Sequence, residues 1–245
     1  MDQGIYTAAA GAMAMEMSLS IISNNLANNN TTGFKKDTIS FEQFTKALDT
    51  SKLDKGQYQR PPIDVLAKMD HIDISQGSLH KTGNPLDLAI AGDGFFAVMT
   101  ADGPRYTRAG KFLISSDGLL VNAHGQSVQG EGGDIMLGPG NVVVNTDGNI
   151  TLNGEAIDKI QIVTIPEDAL TRQGYSLFNV KEGTYPEPMD SPNVVQGALE
   201  TSNVEPIKEL VGLINTQRAY EAFQKTIKAF QDSYSSSIRN IGTLA

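Results

Sequence analysis

The sequence predicts an α+β chain. It has N- and C-terminal helices packed as a coiled-coil-like core layer, and a central antiparallel β barrel or sandwich. Three observations predict it. Apolar residues recur at helical spacing from Ile5 to Leu26 and again from Ile207 to Ile241. That period disappears between Pro85 and Pro166. The same middle stretch is punctuated by Asp-Gly pairs at Asp93-Gly94, Asp102-Gly103, Asp117-Gly118 and Asp147-Gly148. Side chains share a helix face every three or four residues but a strand face every second one, so a change of period marks a change of element.

The first helix is read from about Ile5 to Asn28. Ile5, Ala8, Ala12, Met15, Leu19, Ile22 and Leu26 are spaced alternately by three and four, which makes one narrow apolar seam of the kind that meets other helices. At 1.5 Å per residue it is ~35 Å long. It stops in Asn28-Asn29-Asn30-Thr31-Thr32-Gly33, where Asn and Gly tolerate left-handed dihedrals. Thr32, Gly33 and Phe34 form a turn motif. The last helix, from about Val204 to Ile241, is ~55 Å long. Thr201, Ser202 and Asn203 are candidate N-caps, and Glu205 with Pro206 suits a first turn. Ile207, Leu210 and Ile214 open one stripe. Leu213, Tyr220, Phe223, Ile227, Phe230, Tyr234 and Ile241 continue one position over, a break in heptad phase.

Neither helix buries its seam alone, so each needs the other or neighbouring copies. The candidate subunit-packing positions are the seven N-terminal seam residues, with Asn24, Asn25 and Asn28 as helix terminators or as a hydrogen-bonding set for neighbours. On the C-terminal helix they are Ile207, Leu210, Ile214, Gln217, Arg218, Tyr220, Phe223, Ile227, Phe230 and Tyr234.

In the middle, Leu86–Ile90, Phe95–Met99, Asn141–Val144 and Ile160–Ile165 read as short strands between tight turns. Phe41–Phe44 ends a strand or begins a short helix. Lys52–Pro62 and Gly183–Pro192 read as connectors. The expected divisions are 1–34 for the N-terminal helix and turn, 35–84 for a connector and first strand, 85–200 for the β-rich outer domain, and 201–245 for the C-terminal helix.

Composition narrows function. A formal net charge of −9 opposes non-specific binding to phosphate backbones. The absence of cysteine removes disulfides, thiolate nucleophiles and Cys-ligated zinc. His71, His80 and His124 are scattered and make no ligand pair. No stretch approaches the ~20 apolar residues of a membrane span, and the N-terminus lacks the basic start and apolar run of a cleaved Sec signal peptide. Composition alone therefore points to the cytoplasm unless another export machine reads the chain. Gly92-x-Gly94-x-x-Ala97 matches a dinucleotide fingerprint formally, but Phe95–Met99 reads as a strand where that fingerprint needs a helix. Asn145–Asn149 and Gly130–Gly133 read as turns, not calcium or phosphate loops. No catalytic residue, metal or cofactor is expected. The rival of another class is a β-rich hydrolase, which needs convergent carboxylates in a cleft.

Several segments resemble the flagellar rod and hook proteins. Ser23–Asn28 followed by Thr32-Gly33-Phe34-Lys35 is similar to their N-terminal signature. Gln76–Leu79, Thr82–Ile90, Gly92–Phe96 and Tyr106–Gly110 resemble the start of their β domain, and Leu199–Val204 with Gln217–Glu221 resembles their C-terminal signature. The likeness spans nearly the whole chain in order. Met1–Ala8 resembles the proximal-rod branch. Lys52–Asp73 lacks the Gly-Val-rich insertion usual in the distal branch. The resemblance implies a structural, non-enzymatic subunit that polymerises through its terminal helices into a helical tube transmitting torque. Its partners would be copies of itself, other axial proteins and the flagellar type III export apparatus, with no nucleic acid and no membrane insertion. It also implies a place in the basal-body rod across the periplasm, reached without a cleaved signal peptide. A distal-rod or hook-type subunit is the alternative within the family.

Overall fold

The computed structural model describes residues 2–44, 64–174 and 176–242. The connector expected at Lys52–Pro62 lies outside the described residues. Helix α1 is Asp2–Ala27 and helix α2 is Pro206–Gly242. Proline opens α2 because the first-turn N–H it lacks has no intrahelical partner anyway. The cap candidates are corrected: α2 starts beyond them, and the Thr201 hydroxyl donates to the Ser78 carbonyl while the Asn203 amide donates to Asp73 and Ser75.

The chain divides into two compact units. A helical unit comprises Met1–Leu26, Asp37–His71 and Pro206–Ala245; a β unit comprises Ala27–Lys36 and Ile72–Glu205. In the helical unit, strands Asp37–Phe44 and Asp64–Ile72 pair with each other, so Phe41–Phe44 is strand. The two helices meet through glycines. A Cβ placed on Gly11 would lie 2.5 Å from the Phe223 ring, one on Gly4 2.8 Å from Phe230, and one on Gly212 3.6 Å from Ile22. As the position along α1 rises, its partner on α2 falls by the same step, so the helices run antiparallel.

The seam on α1 is shifted from the expected one. The buried positions are Ala8, Gly11, Ala12, Ala14, Ser18, Ile21 and Asn25, whereas Ile5, Met15, Leu19, Ile22 and Leu26 are half-buried. Small residues face α2 because α2 supplies the bulk with its phenylalanines. Gly4–Ala27 is also long and apolar enough, by length and composition, to cross a membrane, contrary to the sequence expectation. Its small residues raise apolarity, and the same residues let α2 approach closely.

The β unit is built on a ten-stranded antiparallel sheet. Its main path runs through Leu170–Arg172, Leu177–Val180, Gly103–Thr107, Phe95–Thr100, Ser127–Gly130, Leu120–Asn122 and Phe112–Ile114. Among the described residues that path does not close into a barrel. Val142–Val144, Asn149–Leu152 and Glu155–Lys159 form a second sheet, and two short pairs join Leu88–Ile90 to Val194–Gln196 and Leu79–Lys81 to Ala198–Glu200. The Phe95–Thr100 strand shows why its sequence runs apolar without alternating. Phe96 and Val98 enter one core with Phe112, Ile150 and Val194, while Phe95 enters another with Val163, Leu170 and Phe178. Successive side chains point to opposite faces, and both faces are covered. Edge-to-face ring pairs set each core, Phe96 with Phe112 at 5.2 Å and Phe95 with Phe178 at 5.5 Å. The strand at Phe95 removes the dinucleotide-loop reading.

Candidate functional site

The β unit holds a buried charge cluster built from three distant segments. Glu200 ends the strand Ala198–Glu200 and is 1% exposed; Lys35 is 0% and Arg108 2% exposed. Lys35 Nζ lies 2.5 Å from Glu200 Oε1 and donates to the Ser75 carbonyl at 2.7 Å. Arg108 reaches Glu200 Oε2 at 3.5 Å and donates to the Gly92 carbonyl at 2.8 Å. The Gly77 N–H adds a third donor to Glu200 at 2.9 Å. One carboxylate thus serves two buried cations. Burial pulls the Lys35 ammonium below its ordinary pKa, with Glu200 opposing and Arg108 reinforcing. Burial pulls Arg108 down too, against Glu200 and Asp93. Among the described residues Arg108 Nε has no hydrogen-bond partner, and its guanidinium lies 5.1 Å from the Phe95 ring centre.

Around this cluster the backbones of the two chain exits are tied together. Gly33 N–H donates to the Glu200 carbonyl at 2.8 Å, and Asn203 N–H to the Phe34 carbonyl at 3.3 Å. Asn203 Oδ1 accepts from Lys36 N–H at 2.8 Å while its Nδ2 donates to the Asp73 carbonyl at 2.8 Å. Gly33 has φ +66°, and a Cβ there would collide with Ala109. Arg172 lies over the Phe34 ring at 4.6 Å and donates to the Lys35 carbonyl. Asp73 is held low: burial raises it, but hydrogen bonds from Ser75 and the Lys36 ammonium at 3.3 Å outweigh that.

Of the residues singled out in the sequence, Gly33 and Phe34 lie in this knot, with Thr32 half-buried beside them. Asn25 is buried in the helical unit, where its amide exchanges two 2.9 Å hydrogen bonds with the Asp37 backbone. Asn24 is exposed, and Asn28 accepts from Thr31 at 3.2 Å. On α2, Gln217 donates to Glu221 at 3.4 Å and Gln224 to the Tyr220 hydroxyl at 2.7 Å, while Arg218 is exposed. Sequence reasoning did not single out Lys35, Arg108 or Glu200, although each sits inside a quoted segment. A charged residue within an otherwise small or apolar motif was the available signal. Among the described residues the carboxyl groups with resolved shifts, Asp73 and Asp134, are both held low, whereas a hydrolase's general acid is raised.

Three family models match the chain. The flagella basal body rod protein model covers residues 5–35, the flagellar hook protein FlgE/F/G D1 domain 89–173, and the flagellar basal body rod FlgEFG protein C-terminal model 195–240. The flagellar basal-body rod protein FlgF of Caulobacter vibrioides is 34% identical over 251 aligned residues, with 100% of both chains covered. The chain belongs to the flagellar basal-body rod proteins. FlgF of Mesorhizobium japonicum is 31% identical with 99% of each chain covered, and FlgG of Agrobacterium fabrum is 32% identical with 98% of this chain and 99% of that one covered. Rod proteins are structural, so this member is a structural rod subunit and not an enzyme, and it assembles with other axial proteins of the basal body. Each matched stretch supplies one charge of the buried cluster: Lys35, Arg108 and Glu200 in turn.

Proposed function

We propose that this rod subunit is of the proximal, FlgF type and polymerises through α1 and α2 into a helical tube that transmits torque. In this reading the paired helices form a coiled-coil-like inner layer, and residues 85–200 form an outer, sandwich-like β domain. Copies of the chain and other axial proteins pack on the helices. The flagellar type III apparatus exports it without a cleaved signal peptide, and the tube spans the periplasm.

The observation that carries this is the apolar surface left on α2 after it meets α1. Ile207 is 79%, Val211 54% and Ile214 51% exposed, and these positions follow one another by three or four residues along one helix face. Seam residues Ile5, Met15, Leu19, Ile22 and Leu26 remain half-buried on α1. Substituting I207D and I214D together tests it. Exposed positions tolerate charge without unfolding, so the variant should melt as the parent does yet fail to enter basal bodies. Incorporation at the parental level would sink the packing role.

A further inference from the structure

The charge cluster lies where the two exits of the β unit meet. The ladders beside it are short: Leu79–Lys81 meets Ala198–Glu200 over three residues, and Leu88–Ile90 meets Val194–Gln196 over three. Backbone pairing that short specifies register weakly, and a two-residue slip returns every side chain to its own face. Slipping the strand by two would put Ala198 or Ser202 where Glu200 stands. The backbone bonds could re-form, but Lys35 and Arg108 would then be buried without a counter-charge, a severe penalty.

We infer that Lys35, Arg108 and Glu200 are a register key, which admits one alignment of the two chain exits, residues 33–36 and 198–203. Stabilising the β unit is not its main role. Two cations on one carboxylate, with Arg108 Nε left unpaired, make a poor stabiliser but a strict discriminator. Gly33 N–H donates to the Glu200 carbonyl, Gly77 N–H to the Glu200 carboxylate and Asn203 N–H to the Phe34 carbonyl, so a correct key draws three segments together at once. For a subunit whose two helices continue from those exits, a slip would lengthen one exit by two residues and leave the other unchanged. The rod assignment gives the key its purpose, but the experiment below reads the key itself.

The test is amide hydrogen exchange on the full-length chain carrying K35M, R108M and E200M together, compared with the parent and with K35R. The key predicts that the Phe95–Thr100 strand exchanges as in the parent, while residues 33–36, 76–78 and 198–203 exchange at least about tenfold faster. K35R keeps the charge and should keep the parental pattern. Parental protection of the three segments in the triple variant would overturn the key. So would loss of protection in the Phe95–Thr100 strand along with them, because the charges would then be carrying stability. K35R loosening the segments as much as the triple variant would also overturn it, by making volume the determinant.

Discussion

The β unit and the helical unit manage burial in opposite ways. In the β unit, Phe95, Phe96, Phe112 and Phe178 are no more than 1% exposed, and even its ionic cluster is closed off from water. In the helical unit, no described side chain of α2 is fully buried, and Ile207, Leu210, Val211 and Ile214 are exposed. A core that closes on itself is finished when the monomer folds. A helix pair that joins through glycines and leaves apolar residues exposed has area still to bury. The difference leaves the β unit closed and one apolar face of α2 open to solvent.

The most severe way to break this contrast is to cut it out. A chain trimmed to 27–205 retains the whole β unit and should melt cooperatively. One trimmed to 37–197 loses Lys35, Glu200, Gly33 and Asn203, leaves Arg108 buried without its counter-charge, and should melt at a lower temperature. Equal melts would show that the β unit closes without its exits. Next in size is Glu200→Ala, which leaves two buried cations unpaired. A cost of about 3–5 kcal/mol is expected, lowering the β-unit melting temperature by on the order of 10 °C. A calorimetric scan unchanged from the parent would mean the cluster is not closed to water.

Gly11→Ala sharpens the other side. Its Cβ would sit 2.5 Å from the Phe223 ring, so overpacking of about 1–3 kcal/mol should appear as lost helical circular dichroism, with the β-unit melt untouched. Adding Phe223→Ala should recover part of the helicity, and strict additivity of the two changes would contradict the contact.

The smallest effect concerns pH. Asp73 is held below its ordinary value of 3.8, so its contribution is present above that value and is lost as pH falls through the lower folded one. The carboxylate is 29% exposed, so about 0.5 kcal/mol is expected after screening. Melts of the parent and Asp73→Asn should differ at pH 6 and converge as pH falls through the lowered folded value; a constant gap would exclude titration of this group.

Both helices were legible in the sequence because their apolar spacing holds over many turns. The Asp-Gly hairpins were legible too: Gly118 and Gly148 take φ +81° and +84°, as such turns require. The buried face of α1 was not, since Gly11, Ser18 and Asn25 escape any count of apolar residues. The burial of Gly11 depends on Phe223, more than two hundred residues away. The charge cluster was illegible for a related reason. Lys35 and Glu200 are separated by 165 residues, and no local pattern says that two ordinary surface residue types will meet in the interior.

The pinch at Lys36 and Asp73 bears on how this chain can vary. Residues 37–71 leave the β unit and return beside their point of departure, where Asp73 N–H donates to the Lys36 carbonyl at 3.0 Å and the two side chains pair at 3.3 Å. A segment closed at its base can change length without moving that base. Insertions and deletions among relatives should therefore collect between these two residues, making the excursion the place where evolution can resize a rod subunit without refolding it.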